Sequence, residues 1–249
     1  GGMGRMYANA FRRVCPVAGV VVGREETATR LRGELPEPVY NDLSKALAEL
    51  RPTAVAIFSP TEWHLDHLRV AMNAGCPAMV IKPACVDPDG ATELHRQAIE
   101  MGIPILMAHE GVFAPAFLAI EAAIKEGRIG KLQEVRWVKE GMETLSGGRA
   151  KEEPRKEDLE GRNFGHVYAS VMHELYVVNR LFGRSAPEGC SVTNCFAASH
   201  EMKLDAELEY SGGLLARVRY NLGGDIPFRR GLQVVGDEGS LLWLVQPGR

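Results

Sequence analysis

A few short stretches of this 249-residue chain carry side chains whose types and spacing could do chemistry. In AMVIKPACV, Ala78 to Val86, an apolar run ends on a single charge, Lys82, followed by Pro83. A lysine leaving a sheet there reaches water, pairs with an anion, or faces a cleft. In NFGHVYASVMHELY, at about 100° per helical residue, His166, Ser170 and His173 fall on one face, while Glu174 points elsewhere. A lone histidine on a helix is more often structural than catalytic. SPTEWH, Ser59 to His64, follows another apolar run; Ser59 and Thr61 suit either a helix cap or a ligand contact. HLDH places His64 and His67 three residues apart without a third ligand, so no metal site is expected.

The chain opens on GGMGRMYANAFRR. Gly1 and Gly4, with Gly2 and Met3 between them, would be the last two glycines of G-x-G-x-x-G, without the first glycine or its strand; extraneous residues ahead of Met3 are the alternative. An amphipathic helix follows, and VAGVVV arrives where a second strand belongs, so a dinucleotide phosphate would sit on the exposed N–H groups at that helix start. The run from Val17 ends on Gly23-Arg24. NAD-preferring domains place Asp or Glu there to bond the ribose hydroxyls. A missing carboxylate followed by arginine suits a 2′-phosphate and favours NADP over NAD. The alternative is that Arg24 is a solvated helix-start residue and that Glu25 or Glu26 bonds the ribose.

The elements that must position these residues alternate. TAVAIFSP, PAMVI and IPILMAH are apolar throughout, and each is followed by a helical pattern. Strands of this kind pair in parallel with both faces covered, which predicts a doubly wound, Rossmann-like α/β domain over residues 1–129. VYNDLSKALAEL predicts a helix capped by Asn41 or Asp42. After Gly130 the rhythm changes. KLQEVRWVKE alternates, 141–163 reads as a polar surface loop, a helix runs from about Gly165 to Leu181, and hairpin patterns follow with Ser-Gly-Gly and Asp-Glu-Gly turns. Residues 130–249 are therefore expected to form an α+β domain with a mostly antiparallel, open sheet.

Composition limits the partners. A net charge of −3 and a sequence pI near 6.2 give no reason to expect nucleic acid or an anionic membrane. No apolar run approaches the roughly 20 residues of a membrane span, and no signal peptide is evident. Five scattered cysteines suggest reduced thiols and a cytoplasmic protein.

GGMGRMYANAFR, AIFSPTEWH, AGCPAMVIKP, AHEGVFAPAF, EGRIGKLQEVR and VMHELYVVNRLFG, in that order, resemble the glucose–fructose oxidoreductase / inositol dehydrogenase (Gfo/Idh/MocA) family. LEYSGGLLARVRYNL and VVGDEGSLLW are similar to that family's second-domain sheet, so the likeness covers nearly the whole chain. It implies an NAD(P)-dependent oxidoreductase that moves a hydride between nicotinamide and a hydroxyl or carbonyl carbon of a sugar, inositol or related polyol. It also implies a homo-oligomer formed through the C-terminal sheet.

The resemblance assigns roles as well. Lys82 and Pro83 match the end of a Glu-Lys-Pro segment, so Lys82 would face the cleft, touch both cofactor and substrate, and stabilise or protonate the substrate oxygen. His173 matches an acid/base histidine, with Ser170 and His166 as substrate-binding helpers. Ser59, Pro60, Thr61 and His64 resemble a cofactor-lining turn. In HEGVF, Glu110 replaces an amide-type residue and alters the expected pocket wall. Three departures stand out: Ile81 replaces the glutamate, Ala169 an aspartate, and the first strand is absent. They motivate the alternative of a dinucleotide-binding regulatory or assembly protein with degraded catalysis.

Overall fold

Short apolar runs flanked by capped helices build the first half of the chain. In the computed structural model, which describes residues 2–85, 87–141, 171–183, 186–198, 201–222 and 229–245, helix α1 (Gly2–Phe11) leads into strand β1 (Val20–Val21). Helix α2 (Glu25–Arg32), strand β2 (Val39–Tyr40), helix α3 (Leu43–Leu50) and strand β3 (Val55–Ile57) follow, then a short 3-10 turn (Thr61–Trp63). Helix α4 (His64–Asn73), strand β4 (Ala78–Ile81), helix α5 (Pro88–Met101) and strand β5 (Ile105–Ala108) complete the unit Gly1–Ala108. Every strand pair in it is parallel, as the apolar runs require: β1 with β2, and β3-β4-β5 in a separate sheet. Among the described residues no strand joins β1 to β3.

Local chemistry sets the helix ends. The Asp42 carboxylate accepts from the Lys45 N–H at 2.7 Å, and the Asp87 carboxylate from the Gly90 N–H at 3.1 Å, at the starts of α3 and α5. Gly75 and Gly102, both at φ 66°, end α4 and α5 in the left-handed conformation that glycine adopts without a Cβ penalty. Ile57, Leu68, Ala71, Val80, Leu94 and Ala98 form the apolar core between the sheet and these helices. Each large side chain so buried contributes about 1.5–3 kcal/mol.

The second unit spans His109–Arg249. It contains a 3-10 turn (Glu110–Phe113), helix α6 (Pro115–Lys125), strand β6 (Leu132–Gly141) and helix α7 (residues 171–181). Strands β7 (Gly189–Ala198), β8 (Glu201–Tyr210), β9 (Leu214–Leu222), β10 (Arg229–Gly236) and β11 (Ser240–Val245) follow. The six strands form one sheet in the order β11-β10-β6-β9-β8-β7, antiparallel except where β6 pairs with β9. The boundary lies upstream of the one the sequence rhythm suggests. Phe117 and Ile120 of α6 are buried with Val135, Trp137, Val178 and Leu232, so 109–129 is packed into the second unit's core.

Alternation in β6 puts Val135, Trp137 and Lys139 on the buried face, beside Tyr220 of β9 and Arg230 of β10. Glu134, Arg136 and Arg217 lie on the other face as an ion-pair chain. The 141–163 loop expected from sequence lies, apart from Gly141, outside the described residues. Among the described residues no helix is long and apolar enough to cross a membrane.

Candidate functional site

The carboxyl edge of β3 and β4 gathers most of the first unit's candidates. β3 ends at Ile57, and Phe58 and Ser59 then lead into the turn before α4. Tyr7 of α1 stacks on Phe58 with ring centroids 4.6 Å apart, and a Cβ built on Gly4 would lie 3.8 Å from Phe58 Cβ. The start of α1 is thereby held at the end of β3, and its first turn contains no acidic residue. Ser59 and Thr61 are half-buried and Pro60 is exposed. Ser59 Oγ lies 2.9 Å from His67 Nδ1, so Ser59 bonds back to α4 instead of capping it.

β4 delivers Lys82, half-buried, with Ile81 and Pro83 buried on either side of it and a cis peptide between Lys82 and Pro83. His64 differs from expectation. It is 1% exposed, and its two ring nitrogens lie 2.9 Å from the Pro83 carbonyl oxygen and 2.8 Å from that of Ser59. It stands behind the turns as a support, and it does not present a surface to a cofactor. His64 and His67 both meet Ser59, the one at its carbonyl oxygen and the other at its hydroxyl. Burial holds His67 below the ordinary histidine range. A groove lined by Ser44, Leu47, Arg51 and Asn73 lies at the amino ends of β3 and β4, where open parallel sheets do not bind their ligands.

At the end of β1, Gly23 is exposed and a Cβ there would meet nothing within 4 Å. Arg24 is exposed in extended conformation at the start of α2 and makes no side-chain cap bond. Glu25 is already committed: Arg32 donates to it at 2.6 Å and holds its carboxyl below the usual range. Of the two acids considered as ribose partners, only the exposed Glu26 is unengaged by such a pair among the described residues.

The second unit carries its own set. His173, on α7, is half-buried and sits edge-on to His109, ring centroids 5.0 Å apart, while His109 stacks on Tyr176 at 4.5 Å. His109 is 3% exposed and Glu110 is exposed, so the residue that packs against His173 is the first of HEGVF and not the second. Sequence reading missed His109 because nothing in its spacing to His173 announces a contact. Arg180 donates to Glu121 of α6 at 2.9 Å, and the Tyr210 hydroxyl donates to Asn179 at 2.9 Å, so α7 is fixed to both α6 and β8. His166, Ser170 and Ala169 lie outside the described residues, as does Gly1; of the Gly2 and Met3 side chains nothing follows.

Glu174 turns away from His173, as its helical position requires, and is 1% exposed. Burial pushes its carboxyl up to about 7, against the pull of a Tyr220 hydrogen bond and the charges of Arg230 and Lys139. Arg230 approaches it to 3.8 Å and lies 5.2 Å over the Trp137 ring; the Lys139 ammonium lies 5.7 Å over Tyr220. The alternation of VRWVK held this signal, since it places Lys139 on the face of Val135 and Trp137.

Residues 1–109 match a family described as "Oxidoreductase family, NAD-binding Rossmann fold". A UDP-N-acetylglucosamine 3-dehydrogenase from Acidithiobacillus ferrooxidans is 29% identical over 123 residues, covering 49% of this chain and 39% of that protein. Myo-inositol dehydrogenase Hyg17 from Streptomyces leeuwenhoekii is 24% identical, covering 97% of this chain and 73% of that one. Among solved structures, scyllo-inositol dehydrogenase from Lactobacillus casei, with bound NAD(H) and scyllo-inositol, superposes with a TM-score of 0.76 at 14% identity, covering 98% of this chain and 73% of that chain.

Proposed function

We propose that this chain, whose residues 1–109 match the Gfo/Idh/MocA oxidoreductase family, transfers a hydride between a nicotinamide dinucleotide and a hydroxyl or carbonyl carbon of a sugar, inositol or related polyol. The observation that carries the proposal is the delivery of Lys82, half-buried, at the carboxyl end of β4 beside the Ser59–Thr61 turn. In this reading the first unit is the dinucleotide-binding domain and the second holds substrate and pairs sheet to sheet in an oligomer.

The donor set fits the dinucleotide. The start of α1 offers backbone N–H groups without an acid in its first turn, and Arg24 offers an exposed guanidinium. Gly2, Met3 and Gly4 would hold the phosphates, and Ser59, Pro60 and Thr61 would line the nicotinamide side. NADP is the proposed preference, because Arg24 suits a 2′-phosphate while Glu25 is bound to Arg32. When bound, the dinucleotide supplies the hydride donor or acceptor. Lys82 would bond the substrate oxygen and stabilise negative charge on it, and His173 is the proposed acid/base group.

The test is a fluorescence titration with NADPH and separately NADH, followed by turnover on polyols and aldoses. Tight NADPH and weak NADH binding, with turnover lost in Lys82→Met, is the expected result. The reverse preference would remove the NADP assignment alone. Binding of neither would remove the enzyme reading.

A further inference from the structure

His64 makes two hydrogen bonds that together fix how its ring is protonated. Its Nδ1 lies 2.9 Å from the Pro83 carbonyl oxygen and its Nε2 2.8 Å from the Ser59 carbonyl oxygen, in a side chain 1% exposed. A carbonyl oxygen only accepts, so each ring nitrogen has to donate. A neutral imidazole carries one N–H and would leave its other nitrogen facing a carbonyl lone pair to lone pair; only the doubly protonated ring satisfies both. The two turns offer few donors of their own, because Pro60 and Pro83 have no N–H.

We infer that His64 is a positioning residue: a cationic strap that ties the Ser59 turn to the Lys82–Pro83 turn and so fixes the point at which Lys82 leaves β4. The inference rests on the reading of Lys82 as the partner of the substrate oxygen. Hydrogen bonds from a charged donor are roughly twice as strong as neutral ones, which is what a buried imidazolium needs to offset its lost hydration.

The groups around the ring are consistent with this. On α4, His67 bonds Ser59 Oγ at 2.9 Å and is kept low by burial. On the β4 turn stand Lys82 and, beyond Pro83, Cys85, whose thiol donates to the Asp87 carbonyl at 3.1 Å and is pushed up by burial. The acids at this helix start, Glu62 and Asp66, are exposed, and Asp66 is paired with Arg69 at 3.2 Å. The charge on the ring is thus held by two carbonyl dipoles and by no buried carboxylate among these groups.

The experiment is nitrogen NMR of the whole chain labelled with ¹⁵N-histidine, the ring signals assigned with His64→Gln and His67→Gln. At pH 7.5 both ring nitrogens of His64 are expected to report as protonated. A bare nitrogen on His64 at that pH overturns the inference. The second readout is the acylation rate of Lys82 against pH, followed by mass spectrometry with the exposed Lys45 as control. In the native chain it should inflect where the His64 ring signal changes, and the inflection should vanish in His64→Gln. An inflection that survives the substitution, or is missing from the native chain, overturns the strap. If His64→Gln does not fold, the native ring signals and native labelling profile still decide. Neither readout needs turnover. Failure here therefore leaves the oxidoreductase reading standing, and a chain that passes both yet binds no dinucleotide fails that reading alone.

Discussion

Replacing Glu174 with glutamine should remove a pH dependence of stability that the native chain carries. The native carboxyl is pushed up to about 7 from an ordinary 4.5, chiefly because burial between α7 and the sheet strips its hydration. At about 1.36 kcal/mol for each pH interval of one separating the two values, that gap corresponds to ~3 kcal/mol. The sign follows from which state holds the proton. Between pH 4.5 and 7 the unfolded chain releases it while the folded chain keeps it. Glu174 therefore contributes most below 4.5, and its contribution is lost as pH rises through 7. The substituted glutamine does not titrate and keeps an acceptor for the Tyr220 hydroxyl. The assay is urea unfolding of both proteins at several pH values from 4.5 to 8, followed by tryptophan fluorescence, to which Trp137 and Trp243 contribute from the second unit and Trp63 from the first. The stability of the native chain relative to Glu174→Gln should fall by ~3 kcal/mol across that range. Parallel profiles, or a native chain that gains on the variant as pH rises, would refute the reasoning and leave Glu174 an ordinary ion-pair partner of Arg230.

Asp42→Ala removes the acceptor of the Lys45 N–H and should cost about 1 kcal/mol in a denaturant melt, with dinucleotide affinity unchanged. Arg24→Ala should weaken NADPH binding by about tenfold or more while NADH binding stays within about twofold, since only a 2′-phosphate uses the guanidinium; equal loss for both would return Arg24 to a solvated helix start. Phe117→Ala, at a side chain 0% exposed, should cost ~3–5 kcal/mol in the tryptophan-reported transition of the second unit; a loss confined to the first unit would restore the downstream boundary. Leu242 and Leu244 are 62% and 65% exposed and share one face of β11, so Leu242→Asp with Leu244→Asp should lower the sedimentation mass if that sheet joins subunits; an unchanged mass would move the contact elsewhere.

Much of the fold was legible because the signals are local. VAIFSP and AMVIKP announce buried parallel strands through unbroken apolar runs, Asp42 announces a cap, and the alternation of Leu132–Gly141 announces a sheet with one buried face. The placement of α6 was not legible, because PAFLAIEAAIK is apolar enough to pack on either unit and only the fold selects the core of Val135 and Trp137. The same limit governs the candidate residues. The sequence puts Lys82 at the end of a strand, and the structure agrees. It assigns His64 to the cofactor turn, yet the ring lies behind that turn, since spacing along a chain does not say which side of a loop a side chain supports.

His173 and Glu174 bring that limit to bear on the proposed chemistry. Ala169 stands where the family resemblance leads one to expect an aspartate, and Glu174 is the carboxylate next in sequence to the histidine. One carboxylate cannot serve both neighbourhoods. Successive helical residues point about 100° apart, and Glu174 is committed to the sheet, where Tyr220, Arg230 and Lys139 answer its charge. Moving it towards His173 would give up its Tyr220 hydrogen bond and its approach to Arg230. Orientation of His173 has therefore to come from its own side of α7, where His109 meets it edge-on and is itself fixed by stacking on Tyr176. An aromatic neighbour can hold a ring in place, but it does not stabilise an imidazolium as a carboxylate would. In the proposed chemistry, with His173 accepting the proton in the oxidising direction, Ala169→Asp should raise turnover in that direction.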